Sequence, residues 1–153
     1  MLVVRIPEGP RLELEHLVLD VNGTLTDRGE LIEGVSERLG KLRETLRLQL
    51  VSGDTFGTLE QVAQALDLTP QRVTRGAEKA EILRALGAER CAVVGNGAND
   101  VPALEAAALG IAVIGPEGAS GAAVGAADVV CRSIEEALDL LLDPRALAAT
   151  LRP

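Results

Sequence analysis

From residue 17 onward the chain alternates short apolar runs with stretches of helical period, and this rhythm constrains the fold more than any other feature. Residues 17–20, 46–51, 71–74, 91–94, 111–114 and 128–131 read as strands, several of them continuously apolar, as expected for strands covered on both faces. Between them, residues 35–44, 78–86, about 100–109 and 134–142 carry apolar positions at helical spacing. Phe56, Leu59, Val62, Ala63 and Leu66 form another such face, and Leu147 and Leu151 mark a terminal helix. Strand–helix alternation of this kind demands parallel strands joined by right-handed crossovers, with helices on both sides. The expectation is an α/β fold, and 153 residues suit a single domain over 1–153.

Local signals refine this outline. Residues 2–6, stopped by Pro7, and 11–15 read as two short edge strands. Asp27-Arg28-Gly29 is a tight-turn signal for a small hairpin between residues 25 and 32. Pro70 punctuates the chain ahead of the strand at 71–74, Gly87 caps one helix, and Gly110 closes the next. Ser133 and Glu136 have capping-box spacing, and Asp143-Pro144 opens the last helix. Residues 117–127, rich in Gly and Ala, fit a loop or a short helix.

Composition removes several function classes. With one Phe, no Tyr or Trp, and a net charge of −8, the chain has neither a stacking platform nor a basic footprint, so no nucleic-acid partner is expected. The longest apolar stretch, 106–115, is too short to span a bilayer. Arg5, Pro7 and Glu8 interrupt any signal-like start, which points to a cytoplasmic, soluble protein without a membrane partner. Cys91 and Cys131 sit in strand-like runs and read as buried free thiols. With only His16 beside them, zinc chemistry is not expected.

The polar residues that remain cluster at strand ends. In an open parallel sheet, ligands bind in the crevice beyond the carboxyl ends of the strands. Asp20-Val21-Asn22-Gly23-Thr24 follows the first core strand, Ser52-Gly53-Asp54-Thr55 the second, and Gly95-Asn96-Gly97-Ala98-Asn99-Asp100 a later one. Lys79 lies at the start of a helix. Singly, each has a plainer role: Asp20 and Ser52 as turn formers, Lys79 as a solvated helix charge, Asp100 as an N-cap. Together they supply the parts of phosphoryl transfer: a carboxylate nucleophile, a hydroxyl with nearby amides, a cation, and a carboxylate for Mg²⁺.

The stretch Asp20–Thr26 resembles the first motif of the haloacid dehalogenase (HAD) superfamily of phosphohydrolases. Ser52 matches the second motif, Lys79 the third, and residues 95–100 the fourth. The run from Gly95 through Asp100-Val101-Pro102-Ala103-Leu104 is also similar to the hinge motif of P-type ATPases, as in a soluble P-type-ATPase-like group. The resemblance implies a Rossmann-like three-layer sandwich with a central parallel sheet. It implies an aspartyl-phosphate on Asp20, and catalytic roles for Asp20, Asn22, Ser52 and Lys79. It implies Mg²⁺ held by Asp20, Asn22, Asn96 and Asp100, and phosphate held by Asp20, Ser52, Gly53, Lys79 and Asn99.

Two departures from the family pattern bear on rate. Asn22 stands where such phosphatases usually carry an acid–base Asp, and Asn cannot shuttle a proton. Asn96 stands where a ligating Asp is common. Slow turnover is expected, or a domain that binds phosphate or a phosphoprotein and regulates without turnover. The intervals from Asp20 to Ser52 and from Ser52 to Lys79 are too short for a cap domain. The site is then open to a large phosphorylated substrate, a small molecule or a phosphoprotein, or is covered by another subunit of a homo-oligomer. A receiver-type signalling domain fits poorly, because its acidic pair after the first strand is missing.

Overall fold

The computed structural model describes residues 1–153. Its centre is a six-stranded parallel sheet of β3 (His16–Leu19), β6 (Arg47–Ser52), β7 (Pro70–Arg72), β8 (Cys91–Gly95), β9 (Leu109–Val113) and β10 (Val129–Cys131). The strand order is β10-β9-β8-β3-β6-β7. The chain runs from β3 outward to β6 and β7, then crosses back to β8 on the other flank. Loops after β3 and β8 therefore diverge, and the crevice that this reversal creates lies at Asp20.

Helices cover both faces, as the alternation demanded: α1 (Val35–Leu42), α2 (Leu59–Leu66), α3 (Gly76–Leu86), α4 (Val101–Ala106), α5 (Gly121–Ala126), α6 (Ile134–Leu142) and α7 (Pro144–Leu151). The layers are unequal. Leu17 and Leu19 point into a core of 31 buried residues that includes α1, α2, α6 and α7. Val18, on the opposite face, joins a core of 9 residues with Leu83, Ala103, Leu104 and Ala123 from α3, α4 and α5. Strands β3, β8 and β9 are buried at every position, which explains sequences that are apolar throughout apart from His16 at the start of β3.

Residues 2–6 and 11–15 differ from the expectation of sheet edges. β1 (Leu2–Arg5) and β2 (Arg11–Leu14) form a separate antiparallel pair instead. Leu2, Val4, Ile6 and Leu14 bury their common face in the larger core, alongside Leu147 of α7. Helix α4 stops at Ala106, and Leu109 and Gly110 belong to β9 rather than to a helix and its cap. Gly110 is there for close approach: a Cβ would lie 2.7 Å from the Leu104 carbonyl oxygen. Pro70 opens β7 instead of preceding it, which an edge strand tolerates. Phe56 lies outside α2 and is 45% exposed, because Asp54 and Gly57 adopt positive φ and delay the helix to Leu59.

Other signals read as expected. The hairpin of β4 (Thr26–Asp27) and β5 (Glu30–Leu31) turns through Arg28 and Gly29, both at positive φ. Ser133 accepts the Glu136 amide and caps α6, although the Glu136 carboxylate turns to Arg132 and only half the box forms. Asp143 caps α7 ahead of Pro144, and residues 121–126 are helical. Only β4, β5 and α1 lie between Asp20 and Ser52, and only α2 and β7 precede the helix of Lys79. No cap domain covers the site. No helix is long and apolar enough to cross a membrane.

Candidate active site

Asp20 follows β3 directly, and its amide is tied to the Val94 carbonyl of β8 at 3.0 Å. The chain then winds tightly, with the amides of Thr24, Leu25 and Thr26 all directed at the Val21 carbonyl. Gly23 at φ 75° permits that turn, and its bare Cα also lets Asn96 close in, since a Cβ there would overlap the Asn96 side-chain amide.

Lys79 joins the loops. Its Nζ donates to Asp20 Oδ1 at 2.7 Å and to Asp100 Oδ1 at 2.6 Å. All three side chains are almost fully buried, at 3%, 7% and 1% exposure. Asp100 Oδ2 accepts the amides of Asn96 and Gly97 at 3.0 and 2.9 Å, so this carboxylate folds its own loop. It does not cap α4 with its side chain, the plainer role open to it in the sequence. Ser52 is fully buried, and its Oγ accepts the Asp54 amide at 3.0 Å. Asn22 Nδ2 donates to the same oxygen at 3.4 Å, which leaves the hydroxyl hydrogen free to donate elsewhere.

Among the residues picked from the sequence, Asn22 and Ser52 form one pair, and Asp20, Lys79 and Asp100 form a connected cluster. Asn96 joins it through Thr24, whose Oγ1 lies 3.1 Å from Asp20 Oδ2 and 3.2 Å from Asn96 Oδ1. Sequence reasoning passed over Thr24 as a site residue. Its spacing four residues after Asp20, across a glycine turn, is the one available signal. Gly53 and Asn99 are exposed at the rim, with no side-chain hydrogen bond tying Asn99 to the cluster. Asp54 is a second omission. Its carboxylate accepts the Leu59 amide at 3.0 Å and meets Arg72 at 2.7 Å, bracing the loop after Ser52. Those contacts hold it below the usual carboxylate range.

Two carboxylates share one ammonium, so the buried cluster carries one excess negative charge. Burial, reinforced by Asp100, pushes the Asp20 carboxyl up to about 7 against the opposing pull of Lys79 and Thr24. Burial alone would depress Lys79, but Asp20 and Asp100 outweigh it and its affinity for the proton is raised. A second cation would relieve the excess. The available donors are all hard oxygens, which suits Mg²⁺. No three acidic, histidine or cysteine side chains converge, so the carboxylate share of such a site is limited to Asp20 and Asp100.

A parallel sheet that brings Asp, Ser, Lys and Asp to one crevice in this order is the arrangement of the HAD hydrolases. The model of the haloacid dehalogenase-like hydrolase family matches residues 8–108, and the chain belongs to that family. It is 26% identical over 138 residues to a soluble P-type ATPase-like phosphatase of Methanocaldococcus jannaschii, covering 86% of this chain and 50% of that protein. It is 49% identical over 59 residues to an uncharacterized protein of the same organism, covering 39% of this chain and 63% of the relative. The chain thus spans half to just under two thirds of the length of these relatives. Among solved structures, 3-deoxy-D-manno-octulosonate 8-phosphate phosphatase from Moraxella catarrhalis shares the fold. Its TM-score is 0.66 at 20% identity, covering 91% of this chain and 94% of that one; it was solved with magnesium, phosphate and KDO.

Proposed function

We propose that the chain is a Mg²⁺-dependent phosphohydrolase that carries the phosphoryl group on Asp20. The observation that bears most weight is Lys79 Nζ held between Asp20 Oδ1 and Asp100 Oδ1 in a nearly dry crevice. A buried carboxylate at a strand end, already in contact with a fixed cation, is placed to attack a phosphorus atom and to have the incoming negative charge offset. The Ser52 hydroxyl and the Gly53 backbone beside it would bind the equatorial phosphate oxygens. Asp20, the Asn22 carbonyl, Asn96 and Asp100 are the oxygens that would hold Mg²⁺, which supplies charge neutralisation on the transferring group when bound.

In the first step Asp20 forms a bond to phosphorus and the ester oxygen departs. In the second, water attacks phosphorus, inorganic phosphate leaves, and the carboxylate is regenerated. Both steps move a proton, from water or to the departing oxygen, and Asn22 offers no carboxylate for either. The exposed rim suits a phosphorylated small molecule, or a phosphoprotein whose bulk stays outside. Family relatives named as phosphatases and a magnesium-bound neighbour support this reading. The second reading, a domain that holds phosphate without turnover, draws on the same Asn22.

Hydrolysis of p-nitrophenyl phosphate and of alkyl phosphate esters, with Mg²⁺ or EDTA, separates the two. Activity is expected with Mg²⁺ only, and p-nitrophenyl phosphate is expected to be the fastest substrate because its leaving group needs no proton. Asn22→Asp is expected to accelerate alkyl esters by about 10-fold or more, within the size of general acid–base effects. A folded Asn22→Asp protein with no gain on any alkyl ester would favour the non-catalytic reading.

A further inference from the structure

The largest groove on the molecule shares no residue with the candidate active site. It has a volume of about 570 Å³ and lies between the outer face of β1 and one stripe of α7. Val3, Arg5 and Pro7 alternate along the chain onto one side of it. Arg145, Ala148, Ala149 and Arg152 face them at helical spacing, with Pro144 at the helix start. Ala148 and Ala149 keep the groove open, and the guanidiniums sit around an apolar floor.

The charge of this groove runs against that of the chain. Within a protein of net charge −8, three arginines and no carboxylate line it. Arg11 adds a fourth charge, opposite Arg5 in the β1–β2 register. Arg5 and Arg145 form no ion pair. Arg152 meets Glu8 at 3.4 Å, and Arg11 meets Glu13 at 2.7 Å, but these pairs are exposed to solvent and an incoming anion can displace them. Arginine forks bind carboxylates in a bidentate manner.

Spacing selects among acidic ligands. Arg145 and Arg152 are two helical turns apart, about 10 Å along the axis. A single phosphate or carboxylate does not span that separation. An extended peptide does so in about three residues, at roughly 3.3 Å per residue. We infer that this groove docks an extended acidic segment of a partner protein, with carboxylates reaching Arg5, Arg145 and Arg152 and small apolar residues on Ala148 and Ala149. The occupant is acidic because three arginines and no carboxylate line the groove, and extended because Arg145 and Arg152 stand two helical turns apart.

The test is fluorescence anisotropy with a short fluorescein-labelled peptide of alternating Asp and Ala, titrated with the full chain at low salt. Saturable binding is expected, weakening as salt screens the arginines. The double variant Arg5→Gln/Arg145→Gln should weaken it by about 10-fold or more. Arg75→Gln/Arg84→Gln, which removes the same charge from α3 and the residue before it, should leave it within about 2-fold, the scale of long-range charge effects at this ionic strength. Asp20→Asn should bind the peptide like the parent, which keeps this test independent of the phosphohydrolase reading. Equal binding by the groove double variant would overturn the inference. So would displacement by inorganic phosphate at the peptide's own concentration, which would mark a small-anion site. Sedimentation showing self-association that the double variant abolishes, without peptide binding, would assign the groove to a second copy of the chain.

Discussion

Lys79→Met is expected to destabilise the protein by about 3–5 kcal/mol at pH 8, the range for removing one partner from a buried ion pair. The methionine fills much of the lysine's volume, so the effect is electrostatic rather than a cavity. Two buried carboxylates that shared one nitrogen at 2.7 and 2.6 Å would face each other without a counter-charge. Asp100 remains fixed by two amides, and Asp20 by the Thr24 hydroxyl, so neither can swing to solvent without unmaking its loop. The loss should shrink as pH falls through about 7, because the Asp20 carboxyl, already raised that far with the ammonium beside it, takes up a proton that replaces the missing charge. Urea denaturation of both proteins at pH 8 and pH 5 measures it. An unchanged midpoint at pH 8 would show that Lys79 does not neutralise this cluster. Phosphatase activity should disappear in the same variant.

Asp20→Asn is expected to abolish hydrolysis and, in metal-free buffer, to raise stability above neutrality. The folded-state carboxyl of Asp20 titrates at about 7, above its ordinary value of 3.8. A carboxyl raised in this way binds its proton more tightly when folded. Its contribution is fully favourable below about 4 and is lost as pH climbs through 7. Asn mimics the protonated side chain at every pH. The variant should therefore match the parent near pH 4 and exceed it at pH 8, by at least about 4 °C in Tm for a chain of this length. Thermal melts across that interval with EDTA present provide the check. A variant less stable than its parent at pH 8 would mean that Asp20 is held as a contented anion, and the excess-charge account of the site would be wrong. Activity lost together with stability gained is the signature of a residue kept for chemistry at the expense of the fold.

What the sequence made legible follows from which forces act locally. The central strands β3, β8 and β9 are short and largely apolar, and they could be placed because burial on both faces leaves few polar positions to confuse the pattern. Asp20, Ser52 and the loop of Asp100 could be picked because polar residues at the ends of such strands are conspicuous, whereas Lys79, at the start of a helix, stood out only together with those three. The pairing of β1 with β2 was hidden, since an alternating strand shows which face is buried but not what covers it; Leu2, Val4 and Ile6 pack beside α7, more than 130 residues away. The extent of α4 was hidden for a related reason. Ala106-Ala107-Ala108-Leu109 has helical composition, and only the close pass of Gly110 over Leu104 stops the helix. Thr24 was overlooked because its partners, Asp20 and Asn96, meet only after β3 and β8 have paired. The rim position of Asn99 depends on the short 3₁₀ turn at 98–100, which a motif cannot convey.

The backbone beneath the site is not equally durable. β3 is hydrogen-bonded along both edges, to β6 and to β8. β6, which delivers Ser52, has as its outer neighbour only the three-residue β7, whose first residue is a proline without an N–H. Local opening in proteins starts where few buried contacts and few shielded hydrogen bonds must be broken. Amides of β3 should then exchange with solvent deuterium only when the whole domain unfolds, while those of β7 and of the loop after Ser52 exchange through small, frequent fluctuations. The carboxylate and the hydroxyl that would grip one phosphate thus ride on segments with very different lifetimes, and the crevice breathes from the Ser52 side.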